Sequence, residues 1–235
     1  MEEPTHSEAK GEIERRRQAI ASELMQLLDD PTRGELSREQ VKYLTVLYGL
    51  VHQTVTAHSQ LWDSAAEDNV MYCAFNNRNL LELLIWSEYC CMSLENGLRF
   101  ADDAVRDYAG GVLAAQQMAA GWGDQKSLEG AEQLLANHAV RARALGIDPE
   151  DCRFLRVNAA AKELGPEAEL SFKCINNSLS KFVHPTAFVV NHAAFHGWEE
   201  FSRKAVSEMF ASGVSFANTI LNRIAARVVS MKAGN

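Results

Sequence analysis

In the segment CAFNNRNLLELLIW, Arg78 and Glu82 stand four residues apart, which on a helix places them one turn apart on one face. Glu82 is surrounded in sequence by Leu80, Leu81, Leu83, Leu84, Ile85 and Trp86. A carboxylate in such company must find a partner or its pKa climbs, so the pair reads as a structural ion pair, with a functional carboxylate as the alternative. A second set lies in SFKCINNSLSKFVHPTAF. If residues 168–183 are helical, Asn177, Ser180 and His184 fall at i, i+3 and i+7, beside Lys181 and followed by Thr186. Pro185 bars ordinary helix continuation at His184. A histidine at such an end titrates near neutrality and can be offered to a ligand, or it can serve the hydrogen bonding of the kink. A third set is His192 and His196, an i, i+4 pair that could in principle share a metal. It lacks the glutamate of a HExxH site, and Gly197 weakens the helix there, so ordinary partly buried histidines are the default.

The remaining polar clusters are read as structural. Asp102, Asp103 and Asp107 suggest a solvated helix face, and Arg15, Arg16 and Arg17 are flanked by Glu12 and Glu14. Arg141, Arg143, Arg153 and Arg156 form a modest basic concentration able to meet a phosphate. No GxxxxGK[ST], GxGxxG or GxSxG motif occurs, and no cofactor is expected. The five cysteines include no CxxC pair and are expected as reduced, buried thiols.

These residues must be held by something, and the sequence points to helices. There are five prolines, none between residues 32 and 148, so long helices need not be broken in that span. Ile13, Ile20, Leu24, Leu27 and Leu28 form one stripe. Ser37 and Gln40 have capping-box spacing, and Val41, Leu44, Tyr48, Val51, Val55, His58 and Trp62 then recur at intervals of three and four. Residues 69–92 are nearly apolar all round, as suits a central helix. Further helices are expected over 94–120 after a cap at Ser93, over 127–145 before Gly146, from Asp148-Pro149 and from Gly165-Pro166. A last helix carries Val206, Met209, Phe210, Ala217, Ile220, Leu221, Ile224 and Val228 on one face. The expectation is an all-α, antiparallel multi-helix bundle: an N-terminal helical arm over 1–36 and a bundle domain over 37–235.

Composition narrows the partners. The chain has 235 residues, a formal charge of −8 and a hydrophobic fraction of 47%. An acidic balance argues against broad coating of DNA or anionic membrane, although one local basic site is compatible with it. No run approaches the roughly 20 apolar residues of a membrane span, and the first residues lack the apolar core of a secretory signal. A cytoplasmic location is expected.

The segments RNLLELLIWSEYC, SLENGLRFADDAVRD and LSKFVHPTAF together resemble the HEPN-like superfamily of helical proteins, with Arg78-x-x-x-Glu82 and His184-Pro185-Thr186 as the sharpest parts. The resemblance covers roughly residues 69–190. It implies an antiparallel bundle that often forms homodimers and a role in bacterial defence or toxin–antitoxin systems. It also implies activity as a metal-independent endoribonuclease, with His184 as acid/base and Arg78, Glu82, Asn177, Ser180 and Lys181 contributing to a site for RNA or nucleotide. Catalytic members carry an arginine four to six residues before the histidine, whereas this chain has only Lys181 nearby. Lysine lacks the bidentate fork that grips a phosphate. Two readings therefore stand side by side: an RNA- or nucleotide-directed protein, and a non-catalytic scaffold that dimerises or holds a protein partner.

Overall fold

The computed structural model describes residues 6–29, 36–150, 155–184, 186–192 and 197–233. Among these residues the chain is helical with no strand, as α1 (His6–Asp29), α2 (Arg38–Ala66), α3 (Val70–Met92), α4 (Leu94–Trp122), α5 (Gln125–Ala144), α6 (Val157–Leu164), α7 (Pro166–Val183), α8 (Ala187–His192) and α9 (Trp198–Lys232). The architecture is an all-α bundle.

Helix starts follow side-chain chemistry. Ser37 and Gln40 close a reciprocal capping box at α2, Asn69 accepts from Tyr72 N–H at α3, and Ser93 accepts from Asn96 N–H at α4. Pro166 occupies the first turn of α7, where its missing N–H costs nothing. Of the helix expected from Asp148-Pro149, the described part, Pro149 and Glu150, is a turn, and positions 151–154 lie outside the described residues. Asp148 Oδ1 instead accepts from Glu150 N–H at 3.0 Å, a turn made by the same side chain that was expected to cap a helix.

α3 is the axis of the bundle. It packs most extensively on α9 and α2, and also on α7, α6 and α4. Leu80, Cys73, Ala74, Tyr89 and Cys90 on α3 and Ala217, Ile220, Leu221 and Ile224 on α9 are fully buried. Gly213 lets these helices close up: a Cβ there would stand 2.5 Å from Leu61 Cδ2 and 3.2 Å from Asn77 Oδ1. Gly97 is likewise pressed against the Tyr43 ring, which a Cβ would overlap. The Tyr43 hydroxyl donates to the Cys90 carbonyl at 3.0 Å and accepts from Arg227 Nε at 3.1 Å, tying α2 to α3 and α9. Burial raises the pKa of Tyr43, with the Arg227 bond opposing it.

The seven-residue seam expected on α2 lies at one edge of its buried arc: Leu44, Val51 and His58 are buried, and Val55 and Trp62 are half-buried. Val41 and Tyr48 are exposed, while Tyr43, Leu47, Leu50, Thr54 and Leu61 are buried. α2 packs on α1, α3, α4 and α9 together, so its buried arc is wider than a two-helix seam and is centred elsewhere. The helix expected as an arm is docked: Ile13, Ile20, Leu24 and Leu27 share the bundle's core, and α1 packs on α2 and α9.

α5 differs from these, because α4 is its one substantial neighbour. The two helices form an antiparallel hairpin through Gly123, whose φ of 68° makes the left-handed turn. Tyr108 and His138, each 15 residues from Gly123, meet with ring centroids 5.8 Å apart. At the base of the hairpin Asp103, only 8% exposed, accepts from Arg106 at 2.9 Å and from Leu155 N–H at 3.0 Å. Asp103 is thus a buried anchor, not part of a solvated face. Asp102 is ion-paired with Lys42.

Candidate functional site

Arg78 and Glu82 do form the expected pair, Nε to Oε1 at 3.2 Å, but their side chains are 30% and 32% exposed. They lie on the one open stripe of α3, in line with the exposed Met71 and Phe75. The leucines flanking Glu82 in sequence turn toward other helices, because neighbours in sequence point about 100° apart. A buried pair is therefore replaced by a solvent-edge pair.

On α7 the polar set divides between two faces. Ser180 is half-buried and donates to the Asn176 carbonyl at 2.7 Å, an ordinary turn-back bond to its own helix. Asn176 Oδ1 is sealed from solvent with no partner among the described residues. Asn177, Lys181 and His184 are all exposed, at i, i+4 and i+7. His184 is the C-cap of α7, with extended backbone (φ −110°, ψ 152°). The helix end is closed by Thr186, whose hydroxyl donates to the Lys181 carbonyl at 2.8 Å and whose N–H donates to the His184 carbonyl at 2.7 Å. Lys181 in the last turn suits the negative end of the helix dipole.

α3 and α7 pack together, yet no hydrogen bond or ion pair among the described residues joins Arg78 or Glu82 to Asn177, Ser180, Lys181 or His184. His196 lies outside the described residues, and of His192 only the backbone, at the end of α8, is described. Among the described residues no three His, Cys, Asp or Glu side chains gather as a metal site. Arg153 and Cys152 also lie outside the described residues, while Arg141, Arg143 and Arg156 are exposed.

A concave feature absent from the motif-based reading lies between α7 and α9: a groove of about 580 Å³ with Asn77 of α3 at its floor. Its walls carry Leu179 and Phe182 from α7 and Met209 and Phe216 from α9, with Lys204 and Glu208 also on the α9 wall. Asn77 could have been noticed in sequence, because adjacent asparagines in an otherwise apolar helix are poor helix formers and must be satisfied inside. A glycine within the last helix, Gly213, was a similar sign of close approach. A second cavity, about 590 Å³, lies beside Tyr43 and Arg227 and is bordered by Leu27, Leu94 and Met231.

The buried thiols are unreactive by environment. Burial pushes Cys73 up to about 11 and Cys91 to about 12, and raises Cys90 further. Cys174, at the groove, is exposed. No described helix is long and apolar enough to cross a membrane. No protein-family model, curated protein or solved structure matches the chain.

Proposed function

We propose that the chain is a non-catalytic helical binding protein of HEPN-like character, with α7 as its recognition helix and single-stranded RNA or a nucleotide as its ligand. The observation that carries this reading is the alignment of Asn177, Lys181 and His184, all exposed, on one stripe of α7. An ammonium, an imidazole and a carboxamide along one line can meet successive phosphates and base edges. Cleavage would require a cation that grips the phosphate while His184 moves the proton of the 2′-OH. Arg78 is engaged by Glu82, and Lys181 is a point charge without a fork. The dipole at this end of α7 also opposes an anion, so affinity is expected to be weak, and with one lysine on the stripe its salt dependence shallow.

The test is fluorescence anisotropy of a labelled single-stranded RNA at about 50 mM salt, with wild type, Lys181→Ala and His184→Ala. Each substitution is expected to weaken binding several-fold, with the RNA left intact in the absence of metal. Equal binding by all three proteins overturns the proposal. Metal-independent cleavage lost in His184→Ala would instead make the protein an endoribonuclease.

A scaffold reading has its own observation. Tyr108, Gly111, Ala115, Met118 and Trp122 are exposed at intervals of three and four along α4, and Trp122 is 76% exposed. Such a stripe has helix-pairing periodicity. Sedimentation of wild type against Met118→Glu tests it. A dimer dissociated by the substitution is expected, and a monomer in both rejects it.

A further inference from the structure

The cavity beside Tyr43 contains an arginine that differs from others packed in the bundle. Arg223, one turn earlier on α9, is paired with Glu88, Arg99 with Glu163 and Arg106 with Asp103. Arg227 is half-buried and has no ion pair among the described residues. Its Nε donates to the Tyr43 hydroxyl at 3.1 Å, and its guanidinium carbon stands 5.8 Å from the centre of the Tyr43 ring. Tyr43 is itself fixed by donating to the Cys90 carbonyl, so the guanidinium is held in place by a rigid neighbour. Its Nη1 and Nη2 are not sealed from solvent, and neither has a hydrogen-bond partner among the described residues. Two such N–H groups at the end of a guanidinium form the fork that a carboxylate fills.

The walls specify what the carboxylate would be attached to. The cavity holds about 590 Å³, and Leu27, Leu36, Leu44, Leu94 and Met231 line it beside Tyr43 and Arg227. These are aliphatic, flexible side chains, and the Tyr43 ring is already covered by Arg227 and Gly97. No Asp or Glu lines the cavity among the described residues. Lys232 stands at its edge, engaged by Glu23 and by Gln26 at 3.1 Å. Gln40 in the first turn of α2 and Leu94 at the start of α4 bring two positive helix ends to the cavity, while the negative end of α9 is offset by Lys232 in its last turn. An apolar cleft with one placed charge is the usual pattern of a small-molecule site. A phosphate dianion would want further donors, whereas a monoanion on an aliphatic chain matches one fork and an apolar wall. We infer that the cavity enclosed by α1, α2, α4 and α9 binds an aliphatic carboxylate, its carboxyl group on the Arg227 fork and its chain along the leucines. No residue of α7 lines this cavity, so the inference stands apart from the RNA reading.

Three probes test it on the full chain by isothermal titration calorimetry: octanoate, 1-octanol, which has the chain without the charge, and butyrate, which has the charge on a shorter chain. Octanoate is expected to saturate one site and to bind roughly tenfold or more tightly than 1-octanol, because a hydrogen-bonded charge is lost in the alcohol. Butyrate is expected to bind more weakly than octanoate by a similar factor or more, through lost apolar burial. Arg227→Met is expected to bring octanoate down to the level of 1-octanol, with helical circular dichroism retained. Leu36→Trp, a substitution on the cavity wall outside the helices, is expected to abolish binding of both long probes. Equal affinity of the wild type for octanoate and 1-octanol overturns the proposal, since Arg227 would then take no anion. Equal affinity for octanoate and butyrate also overturns it, leaving only a surface charge contact. Absence of saturable octanoate binding, or binding undiminished in either variant, overturns it as well.

Discussion

α3 and α5 are of similar length, 23 and 20 residues, but they owe their helical form to opposite causes. α3 is packed on five other helices and includes Asn76, Asn77 and Cys residues that favour a helix only weakly. Its order comes from burial. α5 rests on α4 alone to any substantial extent, and only Ala131, His138 and Ala142 are buried. Its order comes from local devices. Asp124 caps the first turn through Ser127 N–H at 3.1 Å and Ser127 Oγ at 2.6 Å, which also lowers the Asp124 pKa, and Gln125–Glu129 and Gln133–Asn137 bonds follow at one-turn spacing. The bundle and its hairpin are thus expected to differ in cooperativity, with the hairpin opening below the global free energy of unfolding.

The largest effect that could break this comparison is Leu80→Ala. Leu80 is fully buried, so a cost of about 2–5 kcal/mol in global stability is expected, read by chemical denaturation with α3 and α9 losing protection together. Gly213→Ala should cost about 1–3 kcal/mol, because Leu61 is buried and has little room to retreat from the new methyl. Thermal melts check this, and an unchanged midpoint would show that α9 can shift off α3.

Alkaline pH separates the two regions in a different way. Burial raises the folded-state pKa of Cys73 to about 11, whereas an unfolded thiol ionises near 9. Between those values the unfolded chain has lost a proton that the folded chain retains, so stability is complete below about pH 9 and falls as pH rises. The slope is about 1.4 kcal/mol per pH unit for each such thiol. Denaturation at pH 8 and pH 10 is expected to show the loss in the bundle transition.

Asp124→Ala should loosen the first turn of α5 through the lost cap, with little effect on the bundle transition. Hydrogen exchange is expected to quicken in α5 while α3 is unaffected, and equal acceleration in both would mean that the two regions unfold as one. The smallest effect is assigned to Arg78→Ala and Glu82→Ala. A pair one turn apart and about a third exposed contributes about 0.3–0.5 kcal/mol. A shift of several kcal/mol would show that the pair is buried in solution.

The sequence was most legible where periodicity and caps agree. The stripe from Ile13 to Leu27, the caps at Ser37 and Ser93, and the face from Val206 to Val228 all lie where their spacing placed them. It was least legible where several helices share one neighbour. The buried arc of α2 could not be centred from a three–four interval, since four packing partners set it. The same geometry governed Glu82: leucines adjacent in sequence suggested burial, but on a helix they occupy other faces. Asp103 was lost among Asp102 and Asp107 because its partner, the Leu155 amide, is 52 positions away. The groove was illegible for the same reason, being made by three helices that no local pattern connects.

The Asp103–Leu155 bond also has a meaning for the chain as a polymer. It joins the point where α4 leaves the bundle to the point where the backbone returns to it, so the intervening hairpin is a loop whose ends the bundle holds together. The entropy of closing such a loop grows only with the logarithm of its length. Replacing the span of about 50 residues by a linker of about ten would favour closure by about 1.5 kcal/mol. In that sense the α4–α5 hairpin is an excursion that the remaining helices can tolerate at several lengths, and its surface is free to vary without the core having to follow.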